Sequence, residues 1–375
     1  MTRQQIAAII TLFSGTILAQ TNLDLIAEHP SGKLYATQGK RVLVVKGTPE
    51  QMGQAHGALL KELIPNVTPR TMAVVASTYA ATKGDWFYDR IEEIIKRSSP
   101  HTPKRFIQEL NAIAQASGVE EKHIQQANFF PELFHCSGFA ARNSATLDGK
   151  ILHARVLDYM ADIFLQKYTV LQVFIPEGYN AWMSVGYASF VGTVTAMNEH
   201  GLAIGEMGGG GEGDWDGIPM TWMLRDIMER AKTVREALEI IKSTPRTCEY
   251  YYVISDKSRD MLALYCTPTK VETLEAGQQD SRLPPVPKEM VMISGGDRAK
   301  ELSKRLHQHE GKLTPQLMTE IIKRPVAMKS NLHNAVFSPE TLDMWFADAS
   351  LKKPACDMKY VHVNLKSIID QYNAK

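Results

Sequence analysis

Cysteine is scarce in this chain of 375 residues: the four are Cys136, Cys248, Cys266 and Cys356, with no CxxC pair and no zinc-type spacing. That excludes a disulfide scaffold and a zinc ribbon. Net charge is equally scarce, with 42 lysines and arginines against 41 aspartates and glutamates. A nucleic-acid or anionic-membrane partner chosen by bulk charge is therefore not expected. No stretch beyond residue 19 approaches eighteen apolar residues without charge, so no integral membrane span is expected. His153, His200 and His333 stand in no HExxH or other ligand spacing, each reads as a satisfied strand or turn histidine, and no metal or other cofactor is expected. Internal repeats and low-complexity tracts are missing as well.

What is present suits a sizeable core. Hydrophobic residues make up 44% and charged residues 22%, which fits one large domain or two closely packed ones. Residues 1–19 read as a secretory signal: Arg3 is a small positive n-region, and the apolar run from Ile6 to Ala19 is too short for a membrane span. A mature chain starting near Gln20 would be secreted or periplasmic, with a buried N-terminal helix or an uncleaved anchor as the alternative. Losing that segment removes only Arg3, and 42 minus one leaves 41 against 41.

Periodicity then divides the chain. Residues 41–46 (RVLVVK) form a β-branched strand, 50–63 carry apolar residues at helical spacing, and 104–117 form a second helix, with Thr102 as its cap and Gly118 ending it. Residues 20–135 are thus mainly helical. At Cys136 the pattern changes to strands, 136–143 and 150–158, joined through Asp148-Gly149. Strands at 168–175, 181–187, 194–197 and 201–206 continue as a meander, followed by helices at 220–231 and 234–243. A hairpin at 250–255 and 261–265 is flanked by Cys248 and Cys266, which read either as a cross-strand disulfide or as two separate buried thiols. A proline-rich connection at 276–288, helices at 299–309 and 314–323, and strands at 332–337, 343–347 and 360–364 complete the chain. The economical architecture is α+β, two antiparallel layers with helices outside both.

Cys136 opens a strand just before a tight-turn signal, and an amide-cleaving thiol needs a fixed approach and a deprotonating partner. A two-residue turn at Asp148-Gly149 sets Arg142 opposite Arg155 and Phe139 opposite Asp158, leaving Cys136 three residues beyond Asp158. Arg155 can lower a thiol pKa and Asp158 can accept from an amine. Positions 155 and 158 face opposite sides of a regular strand, so the strand must end or twist near Val156 if both serve one site. A Ser137–His153 pair lacks a GxSxG elbow. The glycine run 208–211 lacks the GK[ST] of a phosphate loop and reads as a pocket-edge loop, with Trp215 beside it lining an apolar acyl pocket.

Residues 135–159, HCSGFAARNSATLDGKILHARVLDY, resemble the N-terminal-nucleophile hydrolases that include acyl-coenzyme A:6-aminopenicillanate acyltransferase, choloylglycine hydrolase and acid ceramidase. They are most similar to the acyltransferase branch, the C45 peptidases: a cysteine opens a strand, a DG turn follows, and the next strand ends Arg155-Val-Leu-Asp158-Tyr159. VLVVKGTPEQMGQAHG (42–57), ELNAIAQASGV (109–119), MNEHGLAIGE (197–206) and SNLHNAVFSP (330–339) also look like that branch.

The resemblance implies an αββα sandwich of two antiparallel sheets and a precursor that cuts itself between His135 and Cys136. Residues 20–135 would then be a propeptide or α subunit and 136–375 the catalytic domain, with self-association of the processed fragments. The freed α-amine, of reference pKa about 7.7–8.0, could take the proton of a thiol near 8.5. By the same resemblance, Arg155 and Asp158 orient the amine and thiol, and Asn331 donates to the oxyanion, with Asn334 three residues on as a competing assignment. Gly208 stands where bile-salt hydrolases place an oxyanion asparagine. The activity implied is cleavage of a small-molecule N-acyl or short peptide-like amide through a Cys136 thioester. Two alternatives stay open: an exported non-catalytic binding protein on the same scaffold, and a hydrolase that needs no chain cleavage.

Overall fold

The structure, a computed structural model, describes residues 21–83, 87–129, 136–159, 164–209 and 213–374. The expected signal segment, His135 and the end of the glycine run lie outside the described residues.

Two sheets pack face to face. The larger has ten strands in the order β1-β2-β3-β6-β7-β8-β9-β10-β11-β12. These are Asp24–His29, Gly32–Thr37, Lys40–Gly47, Thr169–Pro176, Trp182–Tyr187, Thr195–Asn198, Ala203–Gly208, Tyr250–Ser255, Met261–Cys266 and Val271–Leu274. The smaller runs β13-β4-β5-β14-β15-β16, namely Met290–Ile293, Ser137–Ala141, Leu152–Asp158, Asn331–Ser338, Asp343–Asp348 and Val361–Asn364. Helices α1 (Pro49–Leu59), α2 (Ile64–Lys83), α3 (Phe87–Ser98), α4 (Lys104–Ser117), α5 (Glu121–Phe129), α6 (Met220–Arg230) and α7 (Val234–Ser243) belong to the side of the larger sheet. Helices α8 (Gly296–Gln308) and α9 (Pro315–Ile321) cover the smaller, and α10 (Leu365–Asn373) follows β16. This is the expected αββα sandwich with one departure: β3 and β6 run parallel, inside an otherwise antiparallel sheet.

That parallel pair places the N-terminal segment at the heart of the sandwich. Val42, Val44, Leu171 and Val173 meet Phe337 and Phe346 of the other sheet, while Leu43 and Val45 face the helices. A strand buried on both faces reads as an unbroken apolar run, which is why 41–46 was visible in the sequence. Strands β1 and β2 were not, because β1 is an edge strand of mixed polarity with Leu25 and Ile26 exposed. Strand β13 (MVMI), which follows the proline-rich connection, was also missed; it pairs with β4 at the sheet edge.

Local chemistry explains the helix boundaries. Thr48 caps α1 in a capping box with Gln51, and the Thr233 hydroxyl accepts from the Glu236 amide at the start of α7. Thr102 does not cap α4: its hydroxyl reaches back to the Ser98 carbonyl, 3.0 Å, and Pro103 takes the N-cap position. Helices α1 and α4 approach closely through Gly53 and Gly57. A Cβ on Gly53 would lie 2.4 Å from the Glu109 carbonyl oxygen, and one on Gly57 2.7 Å from the Ala116 Cβ. Cys248 and Cys266 are separate buried thiols, since the hairpin pairs Cys266 with Tyr250 and leaves Cys248 outside the strand. Burial pushes the Cys266 thiol up to about 12.

The N-terminal segment is also locked by charge. Arg225 on α6, 1% exposed, donates to Glu109 on α4 at 2.5 Å, to Glu229 at 2.8 Å and to the Val191 carbonyl at 3.0 Å. Its guanidinium lies over the rings of Phe106 and Phe174. Arg105 on α4 shares Glu229, 3.0 Å, and pairs with Asp226. Removing one member of such a buried group strands the others' charge. Arg225→Ala is therefore expected to lower unfolding free energy by about 3–5 kcal/mol in a denaturant titration; a loss under about 1 kcal/mol would mean that the helices hold without it.

Candidate active site

The site begins with a register. Gly138 pairs with Arg155 and Ser137 with Val156, so carrying the pairing one residue further sets Cys136 level with Leu157. The expected pairing of Arg142 with Arg155 is wrong by four residues. A two-residue turn at Asp148-Gly149 does not close this hairpin: a 3-10 turn at Asn143–Ala145 is added, and the Thr146 hydroxyl ties back to the Lys150 carbonyl at 2.8 Å. The correction brings the thiol closer to Asp158, one residue short of its level rather than three beyond. On the other side, Asn331 pairs with Asp158. Three adjacent strands thus bring Cys136, Asp158 and Asn331 to one end of the smaller sheet.

Strand β5 runs through to Asp158 without the end or twist near Val156 that a single shared site required, and Arg155 and Asp158 do face opposite sides. Arg155 shares the inner face with Cys136 as a diagonal cross-strand neighbour, a spacing of roughly 7–8 Å. Its Nη2 donates to Glu206 on β9 at 3.3 Å, both side chains fully buried. Gly205 permits this approach, since a Cβ there would lie 2.6 Å from the Arg155 Cγ.

Asp158 faces α8. Its Oδ2 pairs with Arg298, and its Oδ1 accepts from the Met328 amide at 2.8 Å. Burial pushes this carboxyl up, and Arg298, the Met328 amide, Arg155 and Asn331 draw it back down. Arg298 also donates to the Ser137 hydroxyl at 2.9 Å and the Val326 carbonyl at 2.6 Å. Ser137 is therefore on the α8 side, bonded to Ser294 at 2.8 Å, while His153 bonds Ser255 at 2.9 Å between the sheets. The two do not form a dyad.

Cys136, 5% exposed, lines a cavity of about 360 Å³ with Met207, Gly208, Tyr251, Ser294, Gly295, Gly296, Arg298 and Met328. The start of α8 is one wall of this cavity, so the positive end of that helix dipole favours negative charge developing there. Sequence reasoning missed Arg298 and this helix start. The available signal was SGGDR, an arginine in the first helical turn, where the dipole disfavours cations. Gly208, read from the sequence as part of a loop, is the last residue of β9 and lines this cavity.

Asn331 is placed differently. Its Nδ2 donates to the Leu157 carbonyl at 2.9 Å and to Asn334 Oδ1 at 2.8 Å, and its Oδ1 accepts from Asn334 at 2.9 Å and from the Cys356 amide at 2.8 Å. The two asparagines clasp one another and fix the strand end beside Asp158. Trp215, 2% exposed, is core: the Ser98 hydroxyl bonds its carbonyl at 2.9 Å, and it lines neither the thiol cavity nor the apolar one. That apolar cavity, about 80 Å³, is lined instead by Met72 of α2, Leu157, Tyr159, Leu165, Tyr187 and Leu332, with Thr68 and Ser189 as polar neighbours. Leu157, at the level of Cys136 in the ladder, lines this apolar cavity.

Histidines fill structural roles. The Tyr187 hydroxyl and Thr195 hydroxyl each lie 2.8 Å from His333, and His200 bonds Asn180 at 3.0 Å. Among the described residues no group of three or more histidine, cysteine or acidic side chains is placed to hold a metal.

Residues 146–281 match the family model for acyl-coenzyme A:6-aminopenicillanic acid acyl-transferase. Protein dcd1A of Dictyostelium discoideum is 30% identical over 261 residues, 60% of this chain and 59% of that protein. The N-acylethanolamine-hydrolyzing acid amidase of Rattus norvegicus is 24% identical over 205 residues, 50% of this chain and 53% of that one. The chain spans little more than half the length of the curated relatives it matches. A solved structure of the Caenorhabditis elegans N-acylethanolamine-hydrolyzing acid amidase ortholog aligns with a TM-score of 0.44 and 16% identity, covering 55% of this chain and 93% of that one.

Buried imidazoles give the fold a pH signature. Burial first, and then Arg155, lowers His153 to about 3 and holds His333 well below its usual value; burial and Arg225 lower His56 to about 3. Since the unfolded chain binds protons near pH 6.5 and the folded one does not, stability is present above 6.5 and is lost as pH falls from there towards 3. Each imidazole is expected to remove about 1.4 kcal/mol per pH unit below 6.5. Thermal melts at neutral pH and at pH 5 should show a large acid destabilisation, and an unchanged melting temperature would contradict buried neutral histidines.

Proposed function

We propose that this chain, a member of the acyl-coenzyme A:6-aminopenicillanic acid acyl-transferase family, is a self-processing cysteine amidase or acyltransferase that opens a small N-acyl or peptide-like amide through a Cys136 thioester. The observation that carries the reading is the one cavity in which the thiol, Arg298 and the start of α8 meet, with Asp158 held by Arg298 just behind it.

In processing, the Cys136 sulfur adds to the carbonyl carbon of residue 135, the amide C–N bond breaks, and the nitrogen of Cys136 takes a proton to become the α-amine. Water then hydrolyses the thioester and releases a carboxylate at residue 135. In turnover the α-amine takes the thiol proton, the thiolate adds to the substrate carbonyl, and the leaving amine departs protonated. Water, or an amine acceptor, resolves the acyl-enzyme. Asp158 accepts from the α-amine while Arg298 holds the carboxylate, and Arg298 with the α8 amides and the Gly208 backbone supports the oxyanion. Arg155, paired with Glu206, contributes a fixed positive field from the inner face. The cavity under Leu157 takes an apolar acyl group, walled partly by α2, so the N-terminal segment stays as a subunit after the cut rather than leaving as a propeptide. Residues 1–19 as a signal make the protein secreted or periplasmic.

Intact mass and N-terminal sequencing of the wild type beside Cys136→Ala test the reading. A wild-type fragment beginning at Cys136, absent from the variant, is the expected result. An uncut wild type would sink the free-amine mechanism and favour the binding-protein or unprocessed-hydrolase alternatives. In processed enzyme, Arg298→Ala is expected to lower kcat about 10²–10³-fold on an N-acyl amide.

A further inference from the structure

One wall of the thiol cavity is aromatic. Tyr251 of β10 lines it with Cys136 and Met207, and it stands in a row of directly paired residues across four strands. Met207 on β9 is opposite Tyr251, Tyr251 is opposite Tyr265 on β11, and Tyr265 is opposite Glu272 on β12. Residues paired in this way share a face. That face is the one toward the smaller sheet, because a Cβ on Gly138, two residues after the thiol, would lie 2.8 Å from the Met207 sulfur. The row is also held at its far end. The rings of Tyr251 and Tyr265 meet edge to face with centroids 4.7 Å apart, Arg282 lies 3.7 Å over the Tyr265 ring, and Arg282 bonds Glu272 at 2.9 Å.

The Tyr251 hydroxyl donates to the carboxylate of Glu249, two residues back. Burial, and then this bond, push the phenol above its usual range, so it keeps its proton. A phenol whose single proton is given to a carboxylate can only accept from anything else. Elsewhere the same cavity offers donors, at Arg298 and the start of α8. A secondary amide carries one acceptor, its carbonyl oxygen, and one donor, its N–H, whereas an ester of the same acyl group carries acceptors alone. We propose that the Tyr251 oxygen accepts from the N–H of the scissile amide while the carbonyl oxygen turns to Arg298 and α8, so that Tyr251 selects secondary amides over esters. Glu249 is the positioning residue: by taking the phenol proton it leaves the Tyr251 lone pairs for the substrate. An ester seated in the same way sets its alkoxy oxygen against the Tyr251 oxygen, two acceptors with no proton between them. This selection rests on the Cys136 amide-cleaving reading and adds the linkage that the site prefers.

The experiment compares kcat/KM on matched 4-nitroanilides and 4-nitrophenyl esters, in a series of acyl groups from acetyl to decanoyl, for processed wild type and variants. Tyr251→Phe, which keeps the ring against Tyr265, is expected to lower the anilide-to-ester ratio about tenfold, the worth of one hydrogen bond. Glu249→Ala, which frees the phenol proton, should lower the ratio in the same direction, and the double variant should lower it no further than Tyr251→Phe alone. A purely structural loss would reduce both substrates together and leave the ratio where it was. An unchanged ratio in Tyr251→Phe would therefore overturn the selection by Tyr251 and leave the Cys136 reading standing. A wild type that turns over neither series would overturn the Cys136 reading, and the linkage preference with it.

Discussion

The ion pair between Arg155 and Glu206 is the constraint around which the rest is arranged. Both side chains are fully buried, and a charge taken out of water is tolerated only when its partner is fixed in place. One partner stands on β5 and the other on β9, so the pair sets how the two sheets face each other. It also bears on what else the interior can hold: burial first, and then the permanent cation between the sheets, keeps His153 and His333 neutral, and both find hydroxyl partners. Gly205 is the steric counterpart, leaving room for the arginine stem. The next two residues of β9, Met207 and Gly208, then reach the thiol cavity, so a pair deep in the interior positions that wall.

Around this core the site is assembled from distant parts of the chain. The thiol comes from the start of β4, the carboxylate from the end of β5, the strand lock from Asn331 and Asn334 on β14, and the cation from the first turn of α8. Arg298 links most of them at once, bonding Asp158, Ser137 and the Val326 carbonyl. A group bonded in this way has little freedom left to lose when a substrate arrives.

How far the sequence exposed all this depends on range. Local order was plain: α7 begins at the Thr233 cap its sequence offers, α4 spans its apolar spacing and ends at Gly118 although Thr102 does not cap it, and β3 is the apolar run it looked to be. The opposite faces of Arg155 and Asp158 were legible from parity alone, and the structure shows that no twist was needed because each has its own partner across a different layer. Register was not legible, because Asp148-Gly149 looked like a complete hairpin turn and the 3-10 turn before it has no strong signature. Partners far along the chain were out of reach for the same reason. Glu206 lies 51 residues from Arg155 and Arg298 140 from Asp158, and only the strand order brings them together. Trp215 was judged by its glycine neighbours, whereas burial against α3 decides its role.

Strand β3 lies between β2 and β6, and the β3–β6 seam joins a piece of chain before Cys136 to a piece after it. While the chain is whole, that seam is an intramolecular contact, favoured by the high effective concentration of two segments on one tether. Under the proposed cut the tether goes, and the seam becomes an interface between two molecules. The folded form loses no contact, yet its unfolding becomes a dissociation, and recovery depends on how often the two pieces meet. The order of events then matters: folding must come first and cutting second. A processed molecule that unfolds once is poorly able to return, so its lifetime is governed by a rate of opening rather than by an equilibrium.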